Sequence, residues 1–433
     1  MAMALRVLVV FQLAVVVAAG IATVDRFPIP AFVDEAAHFA YVKSVADDQR
    51  LPLITDRVPS EIYSQLREEA PGGRPLPAGR DLSAFSYEAF QPPLYYLLAA
   101  PVTAVAPGLE AEIRAVRSLN LLLLLLSVAV LFALTRRVCG EDHLLPFSFT
   151  LLPLMWPGVI VRTVTVSNAA LELVLALCLL HVLWKADAED DGRALVWAGA
   201  LLGLALLTKL TLIYLAILLA VVAARMLWRR RTRRAAAVVA AAAVLPVLLL
   251  APWAASNHDR YGTFTANTQA RDQQAPFLFR EDPDFGAGDA FEQLPRLLEG
   301  FLPQEWDLEQ ALPGLDSAAD FVPFLLLVPA LLFLAGRRRP ASREALLLAL
   351  PVALAAAAIF LTLWIEDWDI FYPRYLYPAL PGVALLAALG LRRVLPDGWV
   401  IGYSAAATAL CAGWWVHLAA RHYFDLGGTL GIG

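Results

Sequence analysis

The chain is poor in charge and in cysteine. Only 17% of its 433 residues are Asp, Glu, Lys or Arg, against about 25% in soluble domains. Three cysteines are too few for a disulfide framework. Cys178 and Cys411 lie inside apolar runs and Cys139 at the end of one, which marks them as small buried hydrophobes. A net charge of −5 leaves no basic surface for nucleic acid. There is no HExxH, no glycine-rich phosphate loop and no GxSxG, so zinc proteases, ATP-driven pumps and serine hydrolases lose their usual support. No internal repeat is visible, which disfavours the inverted-repeat transporters.

Apolar residues make up 59% of the chain, and they fall in blocks. Leu119 to Leu134, Leu210 to Trp228 and Ala235 to Ala254 each approach the ~20 residues that cross a bilayer. The composition predicts an all-α polytopic membrane protein. Val7 to Val24, preceded by Arg6, reads as a retained first helix rather than a cleaved signal peptide, because more spans follow. Further blocks lie near 118–135, 144–162, 168–184, 194–207, 210–228, 235–254, 319–335, 344–365, 375–391 and 398–420. Basic residues fall on every second connection: Arg136–Arg137, Lys185 with Arg193, Arg229 to Arg234, Arg337 to Arg339, and Arg392–Arg393. The positive-inside bias puts these five connections in the cytoplasm and the others outside. Counting Pro92 to Pro107 as a crossing would invert every later loop, so it reads as a juxtamembrane helix on the outer face. About 11 transmembrane helices result, forming a single membrane domain over 1–433 with two long outer loops, 25–117 and 255–318. The second carries 12 acidic and 4 basic residues. Outside the cell there is no nucleotide pool, so a synthetic enzyme there needs a donor carried by lipid.

Several polar groups stand out on the outer side. Asp34 and Glu35 follow the first helix, and a helix would put Asp34 and His38 on one face. Such a pair suits a carboxylate base oriented by imidazole, or a weak divalent-cation site. A helix N-terminus, where carboxylates favour the dipole, is the plainer alternative. Gln91-Pro92-Pro93 is extended and opens a helix whose Tyr95 and Tyr96 suit the lipid interface. Arg162, Lys209 and Arg374 are basic against the positive-inside trend. They read either as snorkelling side chains or as a site for phosphate. Asn168 and Glu172, one turn apart, would line the same space, with Glu172 facing the bundle interior. Asn257 to Gly262 reads as a polar turn beyond the helix that ends near Ala254. Tyr375 stands beside Arg374 in an aromatic, proline-broken entry to a helix.

Asp34-Glu35-x-x-His38-Phe39, Gln91-Pro92-Pro93-Leu94-Tyr95-Tyr96, Leu207-Thr208-Lys209 and Arg374-Tyr375-Leu376-Tyr377-Pro378-x-x-Pro381 occur in this order. Together they resemble the GT-C class of membrane glycosyltransferases, above all its protein O-mannosyltransferase-like and aminoarabinose-transferase-like branches. The resemblance implies that Asp34 is the catalytic base and Glu35 its neighbour in acceptor or metal binding. It also implies that Gln91 stands where a lysine contacts the lipid phosphate, so Lys209, Arg162 or Arg374 must supply that charge. Ala169, in Ser167-Asn168-Ala169, replaces an acid expected there.

The expected function is inverting transfer of a sugar from a polyprenyl-phosphate donor to an acceptor hydroxyl at the outer face of the cytoplasmic membrane. The acceptor is a glycan, a lipid or a protein. Charge on the leaving phosphate would be met by the outward cations or by a divalent cation, Mg or Mn, held by Asp34 and Glu35. His38, Gln91, Arg162, Asn168, Lys209, Arg374 and Tyr375 are the expected substrate contacts. A secondary transporter or lipid flippase, and a catalytically idle binder of lipid-linked glycans, are the alternatives.

Overall fold

The structure is a computed structural model and describes residues 2–27, 33–56, 86–266, 345–357 without 352 and 356, and 373–418. Most of the 255–318 loop and of the blocks 319–335 and 344–365 lies outside the described residues, as do the side chains of Asp34, Arg374 and Tyr375. Among the described residues every regular element is helical. Six stretches are long and apolar enough to cross a membrane.

Helix α1 (Ala2–Arg26) is followed by the short α2 (Val33–Asp47) and α3 (Leu94–Thr103). Helix α4 (Leu109–Cys139) is the longest, at 31 residues, and stops at Gly140, whose φ of 64° is left-handed. The next apolar block is broken. Helix α5 (Leu144–Leu151) and α6 (Pro157–Val164) flank a tight turn at Pro153–Met155. Trp156, extended with ψ 131° as a residue before proline favours, breaks the helix, and Pro153 and Pro157 each start a new turn. Helices α7 (Ala169–Ala188), α8 (Gly192–Leu206), α9 (Leu215–Arg230) and α10 (Arg233–Tyr261) follow, then α11 (Leu380–Val394) and α12 (Asp397–Leu418).

Asp191 caps α8 by accepting from the N–H groups of Arg193 and Ala194, and Thr232 caps α10 by accepting from Ala235. Helix α8 has only 15 residues and lies against α7 and α10. Its contact with α10 depends on glycine. A Cβ at Gly199 would sit 2.2 Å from the carbonyl oxygen of Ala242. Small residues let backbones approach closely where lipid gives no hydrophobic drive to association.

Helix α10 continues through Asn257 to Tyr261 and ends at Gly262, with φ 74°. The polar turn expected from Asn257 onward is therefore helix. Its hydrophilic residues project from a final turn that the left-handed glycine closes. Tyr261 reaches the first loop, where its hydroxyl accepts from the N–H of Ile54 at 3.1 Å.

Charge is segregated along the bundle. Near the C-terminus of α7, buried Asp187 accepts from Arg225 at 2.9 Å and from Arg229 at 2.8 Å. Arg230 pairs with Asp190, Arg137 with Glu189, and Arg392 with Asp397. Glu172, near the other end of α7, is 15 residues from Asp187, or about 22 Å along the axis. Of the basic connections expected to share one face, those at Arg136–Arg137, Lys185 with Arg193, Arg229 to Arg234 and Arg392–Arg393 share one end of the bundle, and Arg337 to Arg339 lie outside the described residues.

Candidate active site

The opposite end is held together by one buried arginine. Arg117, fully buried near the start of α4, donates from Nε and Nη2 to both oxygens of Glu35, at 2.8 and 2.7 Å. Its Nη1 donates to the carbonyls of Thr23 and Phe27 at the end of α1, at 3.1 and 2.9 Å. Glu35 also accepts from the N–H of Val166 at 2.9 Å. One turn after Arg117, Asn120 donates to the Thr165 carbonyl at 2.6 Å and to the Tyr95 hydroxyl at 3.0 Å. The exit of α1, the start of α2, the helix α3 and the loop before α7 thus converge on one face of α4.

The Glu35 carboxylate, expected beside the base, is 1% exposed and doubly bound to a guanidinium. Among the described residues no group of three His, Cys, Asp or Glu side chains is arranged to hold a metal ion. The reading of Tyr95 and Tyr96 is corrected: both are fully buried rather than facing lipid. Tyr96 stacks on Tyr41 with ring centroids 3.6 Å apart, and their aromatic area is better buried in the bundle than left at its edge.

In front of this hub lies a cavity enclosing about 620 Å³ of empty space, its open mouth included. His38 reaches it from α2, and Glu88 and Gln91 from the segment before α3. Arg162, at the end of α6, faces Asn168 and Glu172 at the head of α7. Lys209 enters from the corner after α8, and Tyr377 with Pro378 from the turn before α11. Thus five expected contacts, His38, Gln91, Arg162, Asn168 and Lys209, line a single space. Asp34 opens α2 one turn before His38.

Backbone geometry explains the convergence. Lys209 is extended, with φ −160° and ψ 123°, between α8 and the tight turn Leu210–Tyr214. The corner is held by Leu94, whose N–H donates to the Leu207 carbonyl at 3.0 Å. Asn168 donates to the Thr208 carbonyl at 3.3 Å and to Gln91 Oε1 at 3.5 Å. His38 Nδ1 is 2.7 Å from the Tyr96 hydroxyl, and its Nε2 lies 3.9 Å from Glu88. Lys209 Nζ donates to Glu172 at 2.8 Å.

On the outer surface of α2, Lys43 bridges Asp47 and Glu112, both at 2.9 Å. Burial pulls the Lys43 pKa down, but the two carboxylates outweigh it and hold the pKa above the ordinary lysine value. Burial likewise pushes the Tyr41 phenol up, which keeps it a neutral donor to the Gln91 carbonyl at 3.3 Å.

Sequence reasoning missed Arg117, Asn120 and the role of Glu88. Arg117 adjoins an apolar block and reads as its polar flank. The cost of an arginine inside a membrane helix was the signal that pointed to a buried partner.

Residues 90–253 match the family model described as dolichyl-phosphate-mannose-protein mannosyltransferase. Comparison with curated proteins finds no match. Among solved structures, the chain is similar to ArnT from Cupriavidus metallidurans bound to undecaprenyl phosphate, with a TM-score of 0.59 and 18% identity, over 95% of this chain and 65% of that one. It is also similar to the apo state of the same protein, with a TM-score of 0.54 and 19% identity, over 90% and 60%. The chain thus spans about 65% of the length of the ArnT structure it resembles. The shared element is the polytopic helical fold.

Proposed function

We propose that this chain is an inverting glycosyltransferase that moves a sugar from a polyprenyl-phosphate carrier to an acceptor hydroxyl at the outer face of the cytoplasmic membrane. The observation that carries the reading is the cavity. It gathers two cations, Arg162 and Lys209, with an imidazole, two carboxylates and two amides, at the end of the bundle away from the basic connections. The mannosyltransferase family model across residues 90–253 supports the same class, as does the likeness to a protein crystallised with undecaprenyl phosphate.

In this reading Asp34 takes the proton of the acceptor hydroxyl as the acceptor oxygen bonds to the anomeric carbon. The bond from that carbon to the phosphate oxygen breaks, and the lipid phosphate leaves with the electron pair. General-base help of this kind contributes about 10²–10⁴-fold. Arg162 and Lys209 stabilise charge on the leaving phosphate, and Gln91 contributes a neutral hydrogen bond. Arg374 and Tyr375 precede Tyr377 in the chain and are assigned to the donor in this reading. His38 is held by Tyr96 and orients the polar wall.

Asp34→Asn in membranes supplied with labelled polyprenyl-phosphate sugars tests the base. We expect turnover to fall at least about a hundredfold. Turnover near the wild-type rate overturns the assignment. Tight binding of the lipid phosphate with no covalent product from the wild-type chain overturns the enzyme reading in favour of an idle binder.

A further inference from the structure

The cation best placed to meet a phosphate already has a carboxylate on it. Lys209 Nζ donates to Glu172 Oε2 at 2.8 Å, and the two side chains are 9% and 3% exposed. Both line the cavity, so this pair forms part of its wall rather than a buttress behind it. A buried ammonium cannot serve two anions at full strength, and one anion raises the cost of bringing in another.

We propose that Glu172 is a built-in competitor of the lipid phosphate for Lys209, yielding the ammonium as phosphate arrives and reclaiming it to drive release. This rests on the glycosyl-transfer reading above and deepens it. A polyprenyl-phosphate sugar is a phosphodiester with one negative charge. Once the sugar leaves, the phosphate is a monoester that takes a second. Cations alone would therefore hold the product more tightly than the donor. A carboxylate beside them penalises the dianion most, so Glu172 acts as a positioning residue that favours product release.

The test measures binding of undecaprenyl phosphate, and of neutral undecaprenol, to the full chain in nanodiscs. We expect Glu172→Gln to tighten undecaprenyl phosphate about tenfold, the scale of a close charge interaction at a binding surface, and to leave undecaprenol unchanged. In a Lys209→Met background the same substitution should have no such effect, because the contested ammonium is gone. Steady-state turnover of E172Q should show stronger inhibition by added undecaprenyl phosphate. Unchanged or weaker phosphate binding by E172Q overturns the inference, and so does equal tightening with Lys209→Met present. Should E172Q fail to fold, E172D keeps the charge at shorter reach, and a gain of about threefold is expected; no gain overturns the inference. If the wild-type chain binds undecaprenol as well as undecaprenyl phosphate, the glycosyl-transfer reading itself falls. Selective phosphate binding that Glu172 does not affect removes only the competitor role.

Discussion

Arg117 and Glu35 show how one pair can position a site without entering it. Replacing Glu35 with Gln leaves a buried guanidinium beside a neutral amide, and breaking such a pair costs about 3–5 kcal/mol. A clear fall in the unfolding midpoint in detergent is expected. Arg117→Lys should not rescue it, because an ammonium cannot bond both Glu35 oxygens and two backbone carbonyls in the same fork. Gln91→Lys should have the opposite sense for ligand. It adds a cation to the cavity wall, and undecaprenyl phosphate should bind several-fold tighter, as titration in nanodiscs would show. The cavity residues were legible because Arg162 and Lys209 stand on connections other than the basic ones, against the usual charge bias. The partner of Glu35 was not legible, because it lies 82 positions away. No local pattern carries such information.

Apolar blocks located most of the helices, since period and length are local properties. Their ends were set by residues that hydropathy does not weigh: paired prolines cut one block into α5 and α6, and Gly262 let α10 run past its apolar part. Asp191 at the head of α8 gives a direct check. Burial works against its charge, but the Ala194 and Arg193 N–H groups and Lys185 outweigh it, so its pKa is lowered. A lowered carboxylate pKa means that its contribution to stability is present above the ordinary carboxylate range. It is lost as pH falls through the lowered value. Asp191→Ala should therefore cost about 1 kcal/mol at neutral pH, and wild type and variant should converge in unfolding experiments at strongly acidic pH. Gly199→Val should be more severe. Its Cβ alone would meet the Ala242 carbonyl, so α8 and α10 must separate, and loss of folded protein on size exclusion is expected.

At the scale of the molecule, charge divides the bundle into a basic end and a cavity end, and the alternation of connections in the sequence anticipates that division. In sealed, inside-in vesicles, a membrane-impermeant maleimide should label Asp48→Cys, in an otherwise cysteine-free chain, from outside. In a separate chain that keeps only the native Cys139, beside Arg136 and Arg137, it should label nothing until the vesicles are opened. The reverse pattern would invert the orientation proposed. Helix α8 bears on the bilayer itself. Its 15 residues rise about 22 Å, whereas the hydrocarbon layer is about 30 Å thick. Such hydrophobic mismatch is relieved when the surrounding leaflets dimple inward. Lys209 follows α8 by three positions, so a dimple there lowers the headgroup plane toward the cavity mouth. The polyprenyl carrier of the proposed reaction could then present its polar end to the protein without lifting its tail from the membrane. Reconstitution into short-chain lipids should make the carrier easier to capture, and into long-chain lipids harder.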